Sequence, residues 1–176
     1  MSWPRPGDLT RDHEIDLLRG KGTWPGGTPQ VMDNEDGVVL DYTVEEGNPA
    51  DAPQLAPAVR RVVERMGTIP RAVAADRGYG EARVETELHD LGVRNVAIPR
   101  KGKTGLARQR HERRAAFRTL VKWRTGCEGR ISNLKHRYGW DRTRLDGIDG
   151  ARIWTGHGVL THNLVKITVL ASACTA

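Results

Sequence analysis

Apolar residues recur at helical spacing in parts of this chain and gather into short runs in others. Residues 52–66 place Leu55, Val59, Val62, Val63 and Met66 three or four positions apart, the stripe of an amphipathic helix. Asn48-Pro49-Ala50-Asp51 reads as its start, with Asp51 at the N-cap, and Gly67 as its stop. Ahead of it, residues 28–32 (TPQVM) and 37–44 (GVVLDYTV) read as two strands. The DNEDG between them is a hairpin turn, with Asp36-Gly37 as its strongest signal.

Downstream, residues 70–76 (PRAVAAD) form a short apolar strand that ends on a carboxylate, Asp76. RGYG turns the chain, a helix covers about 80–91 and ends at Gly92, and residues 93–98 (VRNVAI) form another strand. Strand, helix, strand, helix, strand argues for an α/β layer architecture with a parallel strand pair. Asp76 then sits at the carboxyl end of its strand, where ligands gather in open α/β sheets.

A basic loop, residues 99–107 (PRKGKTGLA), leads into a helical zone from about 109 to 138. Gly126 and Gly129 lie inside that zone, each costing roughly 1 kcal/mol relative to Ala. They mark either a close backbone approach or a break into two helices. After a turn at 139–145, a last helix over about 148–170 carries Ile153, Val159, Leu160, Leu164, Ile167 and Leu170. Residues 1–29 are rich in Gly and Pro and poor in apolar periodicity, and are expected to be an irregular leader to one domain over 30–172.

Composition narrows the class. The chain has 176 residues, 38% of them hydrophobic, enough for one domain with a core. No apolar run approaches the roughly 20 residues that span a bilayer, and MSWPRPGDLTRDHE lacks the apolar segment of a signal peptide. Cys127 and Cys174 form no zinc spacing or disulfide framework. The expected compartment is the cytoplasm.

Charge changes the picture more. Net charge is +6, yet residues 100–144 hold 15 Lys and Arg against only Glu112, Glu128 and Asp141. A concentrated basic region on an otherwise acidic chain is the footprint of a nucleic-acid binder. Phe117, Trp123, Tyr138 and Trp140 are interleaved with it; Trp123 and Trp140 are candidates for stacking on bases, with core filling an equal alternative for Trp123.

Within that region lies the spacing Arg124, three residues, Glu128, six residues, Lys135. On a helix, at about 100° per residue, Arg124 falls about 40° and Lys135 about 20° to the same side of Glu128. One carboxylate flanked by two cations suits an acid that holds a metal ion beside a phosphate backbone. Metal-assisted phosphodiester chemistry needs carboxylates from different elements converging on Mg²⁺ or Mn²⁺, and Asp76 and Glu128 are the pair suited to it. Taken singly, Asp76 also reads as a turn-forming Asp or an N-cap, and Glu128 as the partner of an i,i+4 ion pair with Arg124.

Asp76-Arg77-Gly78-Tyr79-Gly80 after an apolar strand, followed by R-x3-E-x6-K on a helix, resembles the DDE transposases of bacterial insertion sequences. Their fuller motif is Y-x2-R-x3-E-x6-K; Arg124, Glu128 and Lys135 match, and Val121 stands where the Tyr would be. The strings DNEDGVVLDYTVEEGNPADAPQL, VAIPRKGK, KWRTGCEGRISNLK, YGWDRTRLDG and GHGVLTHNLVKI also look like this family, so the resemblance covers roughly residues 30–170.

The resemblance implies an α/β, RNase H-like fold: a mixed sheet flanked by helices, with a helical C-terminal region. It implies Asp76 and Glu128 as second and third metal-binding acids of a triad, with Mg²⁺ or Mn²⁺ as cofactor. Arg124 and Lys135 would contact DNA near the scissile phosphate, and Arg130, Lys122, Arg77, Lys101 and Lys103 complete the expected DNA-binding set. Such enzymes cleave DNA at transposon ends and use the freed 3′-hydroxyl to attack target DNA. The implied partners are double-stranded DNA bearing terminal inverted repeats and further copies of the chain, or mixed multimers with intact transposase. The implied location is the bacterial cytoplasm, on the nucleoid when DNA is bound.

The first acid of the triad belongs on the first strand of the sheet, and residues 1–29 do not resemble the family. Asp8, Asp12 and Asp16 are the nearby carboxylates, and none ends a hydrophobic strand. The expectation is therefore a C-terminal part of a catalytic domain that lacks its first strand and first Asp, and that does not transpose alone. Two other classes compete: a non-catalytic DNA-binding module acting as a transposition inhibitor, and a metal-dependent nuclease. His157 and His162, five apart, miss the i,i+4 zinc spacing and are expected to pack or hydrogen-bond. Cys127 is expected to be a passive small residue, and Gly22–Gly27 is not a phosphate loop.

Overall fold

The computed structural model describes residues 14–19, 27–47, 49–140 and 143–174; side chains are described for these except at 14–19, 27–28, 125–128 and 130–131. The elements in chain order are β1 (Glu14–Arg19), β2 (Gly27–Asn34), β3 (Val39–Glu46), α1 (Ala52–Met66), β4 (Ala72–Ala75), α2 (Ala82–Asp90), β5 (Asn95–Ala97), α3 (Leu106–Glu112), α4 (Ala115–Tyr138) and α5 (Gly147–Ala173). This is a mixed α/β protein with a helical C-terminal region, as the sequence implies. The chain divides into two units, residues 1–16 with 51–124, and residues 17–50 with 125–176.

The first unit is built on β4 and β5, which pair in parallel with Ala72 opposite Asn95 and Ala74 opposite Ala97. All four residues of β4 are buried, as expected of a parallel strand covered on both faces. Ala72, Ala74 and Ala97 pack with Phe117 and Leu120, and Trp123 lies against this cluster. The small β4 side chains leave room for that bulk. Trp123 is half-buried, with part of its side chain packed on this core. Helix α1 runs over the residues its apolar stripe predicts, burying Leu55, Val59 and Val62, and Gly67 ends it in the left-handed conformation at φ 67°.

In the second unit, β2 and β3 form the antiparallel hairpin expected around Asp36-Gly37. Val31 faces Tyr42, Gln30 faces Thr43, and the register shifts between Met32 and Asp33. Gly37 takes φ 77°, and its N–H donates to the Asn34 carbonyl at 2.9 Å. The core joins Val31, Val39 and Val44 of the hairpin to Leu134, Trp140, Ala151 and Val159. Asn163 clamps β3, its Oδ1 accepting from Val39 N–H at 2.9 Å and its Nδ2 donating to Val39 O at 2.8 Å.

Three expectations are corrected. Residues 1–29 were expected to be irregular, yet Glu14–Arg19 is a strand and β2 begins at Gly27. Ile15, Leu17 and Leu18 supply a short apolar run between Gly- and Pro-rich stretches. The sheet thus includes a strand ahead of β2, where the first strand was expected to be missing; Asp16 falls within it, and Asp8 and Asp12 lie outside the described residues. Second, the helical zone breaks at Arg113-Arg114, and α4 runs through Gly126 and Gly129. The Arg113 and Arg114 N–H groups close the end of α3 on Gln109 O and His111 O at 3.1 Å each. Third, of the apolar residues that mark α5, Val159 alone is buried. Ala151, Thr155, Gly158, Val159 and His162 are buried, while Ile153, Leu160, Leu164 and Ile167 are exposed.

Candidate active site around Asp76

Asp76 follows directly on the last residue of β4. Its backbone is extended, at φ −73° and ψ 171°, and its carboxylate caps the 3₁₀ turn Arg77–Tyr79. Oδ1 accepts from the Gly78 N–H at 2.5 Å, a short charge-assisted bond. The cap holds the carboxylate at the carboxyl end of the strand. Tyr79 is buried beneath the turn.

A second carboxylate reaches the same turn. Asp51 occupies the N-cap position of α1, as the sequence implies, but makes no side-chain cap bond there. Its carboxylate lies against Gly78. A Cβ at Gly78 would stand 2.6 Å from Asp76 Oδ1 and 2.7 Å from Asp51 Oδ2. Both oxygens thus crowd one point that only glycine leaves open. Sequence reasoning missed this role for Asp51 because its place before α1 already explained it.

The basic loop after β5 is seated on the turn. Lys101 N–H donates to Gly80 O at 2.9 Å, and a Cβ at Gly80 would run into the Pro99 carbonyl. Arg77 Nη2 reaches Gly102 O at 3.4 Å, and Lys101 Nζ pairs with Glu81 at 3.0 Å. Arg77, Lys101 and Lys103 are all exposed. The structure therefore brings Asp76, Arg77 and Lys101 together, with Lys103 next in the loop. Lys122 is exposed on α4, and Arg124 and Lys135 are half-buried on the same helix.

Arg100 and Arg108, which swell the basic count, face inward. Arg108 is held by Glu85 at 2.8 Å and by Glu112 at 2.7 Å, and Arg100 by Glu85 at 2.6 Å. Burial alone would raise the Glu112 carboxyl. The Arg100 backbone N–H, then the Arg108 guanidinium, outweigh that and hold it below its ordinary value. Burial opposes charge on Arg108 too, but its bonds to Glu112 and Glu85 keep its pKa raised.

Glu128 and Arg130 lie on α4, as the spacing requires, with side chains outside those described. Cys127 is in the same position. Asp76 and Glu128 belong to different units of the chain. Trp140 is a correction: it is 1% exposed and its Nε1 donates to Thr155 O at 3.3 Å, so it is core and offers no face to a base. His162 is buried and its Nε2 lies 2.9 Å from Gly37 O, in line with a hydrogen-bonding role.

The donor chemistry at the turn fits a hard divalent cation. Asp76 and Asp51 offer carboxylate oxygens, the ligands that Mg²⁺ and Mn²⁺ prefer. Among the described residues no group of three or more His, Cys, Asp or Glu could close a site around such an ion. No helix among them is long and apolar enough to cross a membrane.

The catalytic core domain of BIV integrase is 12% identical, with 86% of this chain and 83% of that one covered, at a TM-score of 0.47. A chain of the simian T-cell lymphotropic virus intasome in complex with the PP2A regulatory subunit B56 gamma is 15% identical, with 84% and 48% covered, also at 0.47. No curated protein matches the sequence. A family model described as "Transposase DDE domain" matches residues 30–164, a span that includes Asp51, Asp76, Arg124, Glu128 and Lys135. This chain belongs to the transposase DDE domain family.

Proposed function

We propose that the chain is the RNase H-like catalytic part of an insertion-sequence DDE transposase, acting in phosphoryl transfer on DNA at transposon ends. Asp76 and Glu128 are its second and third metal-binding acids. The observation that carries this reading is Asp76 itself. It is a turn-capping carboxylate at the carboxyl end of a buried strand, within a family match that also contains Arg124, Glu128 and Lys135 at R-x3-E-x6-K spacing.

A divalent ion held by these carboxylates would supply charge neutralisation for an in-line displacement at phosphorus. The chain's own part is to aim and to bind. The Gly78 N–H fixes one Asp76 oxygen and so orients the other. Exposed Arg77, Lys101, Lys103 and Lys122 offer cations to the phosphate backbone, and Arg124, Arg130 and Lys135 extend that set along α4. Terminal inverted repeats as the DNA partner, assembly of several copies, and a place in the cytoplasm on the nucleoid belong to the same reading.

The test is a titration of Mn²⁺ and Mg²⁺ into the purified chain with labelled duplex DNA, reading mobility shift and cleavage together, beside Glu128→Gln. Divalent metal strengthens the shift of the unaltered chain and not of the variant, and any nicking requires metal and disappears in the variant. A shift indifferent to metal, or nicking that survives Glu128→Gln, overturns the assignment.

A further inference from the structure

We propose that Arg108 and Glu112 are positioning residues that hold the strap Pro99–Lys103 on the turn after Asp76, where its lysines meet phosphate. The proposal rests on the DNA-acting reading above for what the strap binds, but not for how the strap is held.

The strap is gripped on both sides of Pro99. Arg108 Nη2 donates to Ile98 O at 2.7 Å, and Arg100 N–H donates to Glu112 Oε1 at 2.9 Å. The two groups that make these bonds are themselves joined, Arg108 Nε to Glu112 Oε1 at 2.7 Å. Glu85 on α2 then receives Arg108 Nη1 at 2.8 Å and Arg100 Nη2 at 2.6 Å. One guanidinium thus contacts a strand-end carbonyl and two carboxylates from different helices. Its carbon also stands 5.6 Å from the centre of the Phe117 ring.

Beyond this grip, the strap is bonded to the turn that Asp76 caps. Lys101 N–H bonds Gly80 O and Gly102 O accepts from Arg77. The cations of this region therefore divide by task. Arg100 and Arg108 have side chains only 23% and 16% exposed and are engaged internally. Lys101 is held by a solvent-exposed pair with Glu81, 46% and 48% exposed, which is a weak tie that phosphate can replace. Lys103 is exposed on the strap itself.

Arg108 cannot be replaced by Lys in this role. Three separate acceptors lie around a planar fork, and an ammonium on a flexible stem does not span them. A residue that merely contacted phosphate would tolerate that exchange.

The experiment compares Arg108→Lys, Glu112→Gln and Lys103→Ala with the unaltered chain. It reads amide hydrogen exchange of Lys101, whose N–H bonds Gly80, together with affinity for duplex DNA against salt. Arg108→Lys and Glu112→Gln should each speed exchange at Lys101 by about tenfold, with the buried strand β4 unchanged. Arg108→Lys should weaken DNA binding by roughly five- to tenfold although net charge is kept. Lys103→Ala should leave exchange alone and lower the salt slope by about 1. Exchange and affinity unchanged in Arg108→Lys would overturn the proposal. Faster exchange in a chain that binds no DNA would uphold the grip and sink the functional reading instead.

Discussion

The carboxylates of Asp51 and Asp76 meet over Gly78, their Oδ2 and Oδ1 lying 2.7 and 2.6 Å from the point where a Cβ would stand. Gly78 is not needed there for a left-handed backbone; it is needed for space. Gly78→Ala must push aside one carboxylate, and the Asp76 cap on the Gly78 N–H is the bond at risk. The variant should lose about 1–3 kcal/mol, the usual cost of overpacking a tight site, and bind Mn²⁺ more weakly. Urea unfolding and a Mn²⁺ titration check both, and an unaltered Mn²⁺ affinity would show that the shared space has no bearing on metal.

Trp140 supports the second unit. It is buried, and a Cβ at Gly158 would press its indole, with Cδ1 only 2.7 Å away. Trp140→Ala should cost roughly 3–5 kcal/mol, and Gly158→Ala should destabilise through the same ring. Chemical denaturation measures both. If Trp140 instead stacked on bases, its loss would lower DNA affinity and leave stability nearly untouched.

The Glu85, Glu112, Arg100 and Arg108 network gives stability a pH dependence. Glu112 is held below its ordinary value of 4.5, so the folded state keeps it charged where the unfolded chain would begin to protonate it. The stability it contributes is fully present above that ordinary value. It is lost as pH falls through the lower, folded value. Arg108 stays charged throughout, since its shift is upward. Glu112→Gln should flatten the acid limb of stability below about pH 4.5, and thermal unfolding across that range reads it. An acid limb identical to that of the unaltered chain would contradict the assignment.

Lys122 is exposed on α4. If it meets the phosphate backbone, Lys122→Ala should weaken binding to duplexes of any sequence alike. The slope of log affinity against log salt should become shallower by about 1. A loss confined to one sequence would place Lys122 at a base edge instead.

The sequence was most legible where one signal governs. The helical stripe and Gly67 gave α1 its limits, Asp36-Gly37 gave the hairpin, and a carboxylate ending an apolar run gave Asp76. It was least legible where tertiary contacts decide. Helix α5 has apolar residues on more than one face, and the buried face is the small one, because Gly158 admits the Trp140 indole. Arg100 and Arg108 looked like part of one basic surface, since nothing local shows that Glu85 reaches both. Asp51 looked like an ordinary N-cap, because its partner at Gly78 lies far along the chain.

We propose above that Asp76 and Glu128 hold a catalytic metal. The most direct measurement is Mn²⁺ binding to the DNA-bound chain by electron paramagnetic resonance, for the unaltered protein, Asp76→Asn and Glu128→Gln. Each substitution should lower Mn²⁺ affinity by about tenfold or more while the DNA complex persists. Two variants that bind Mn²⁺ as the unaltered chain does would contradict it.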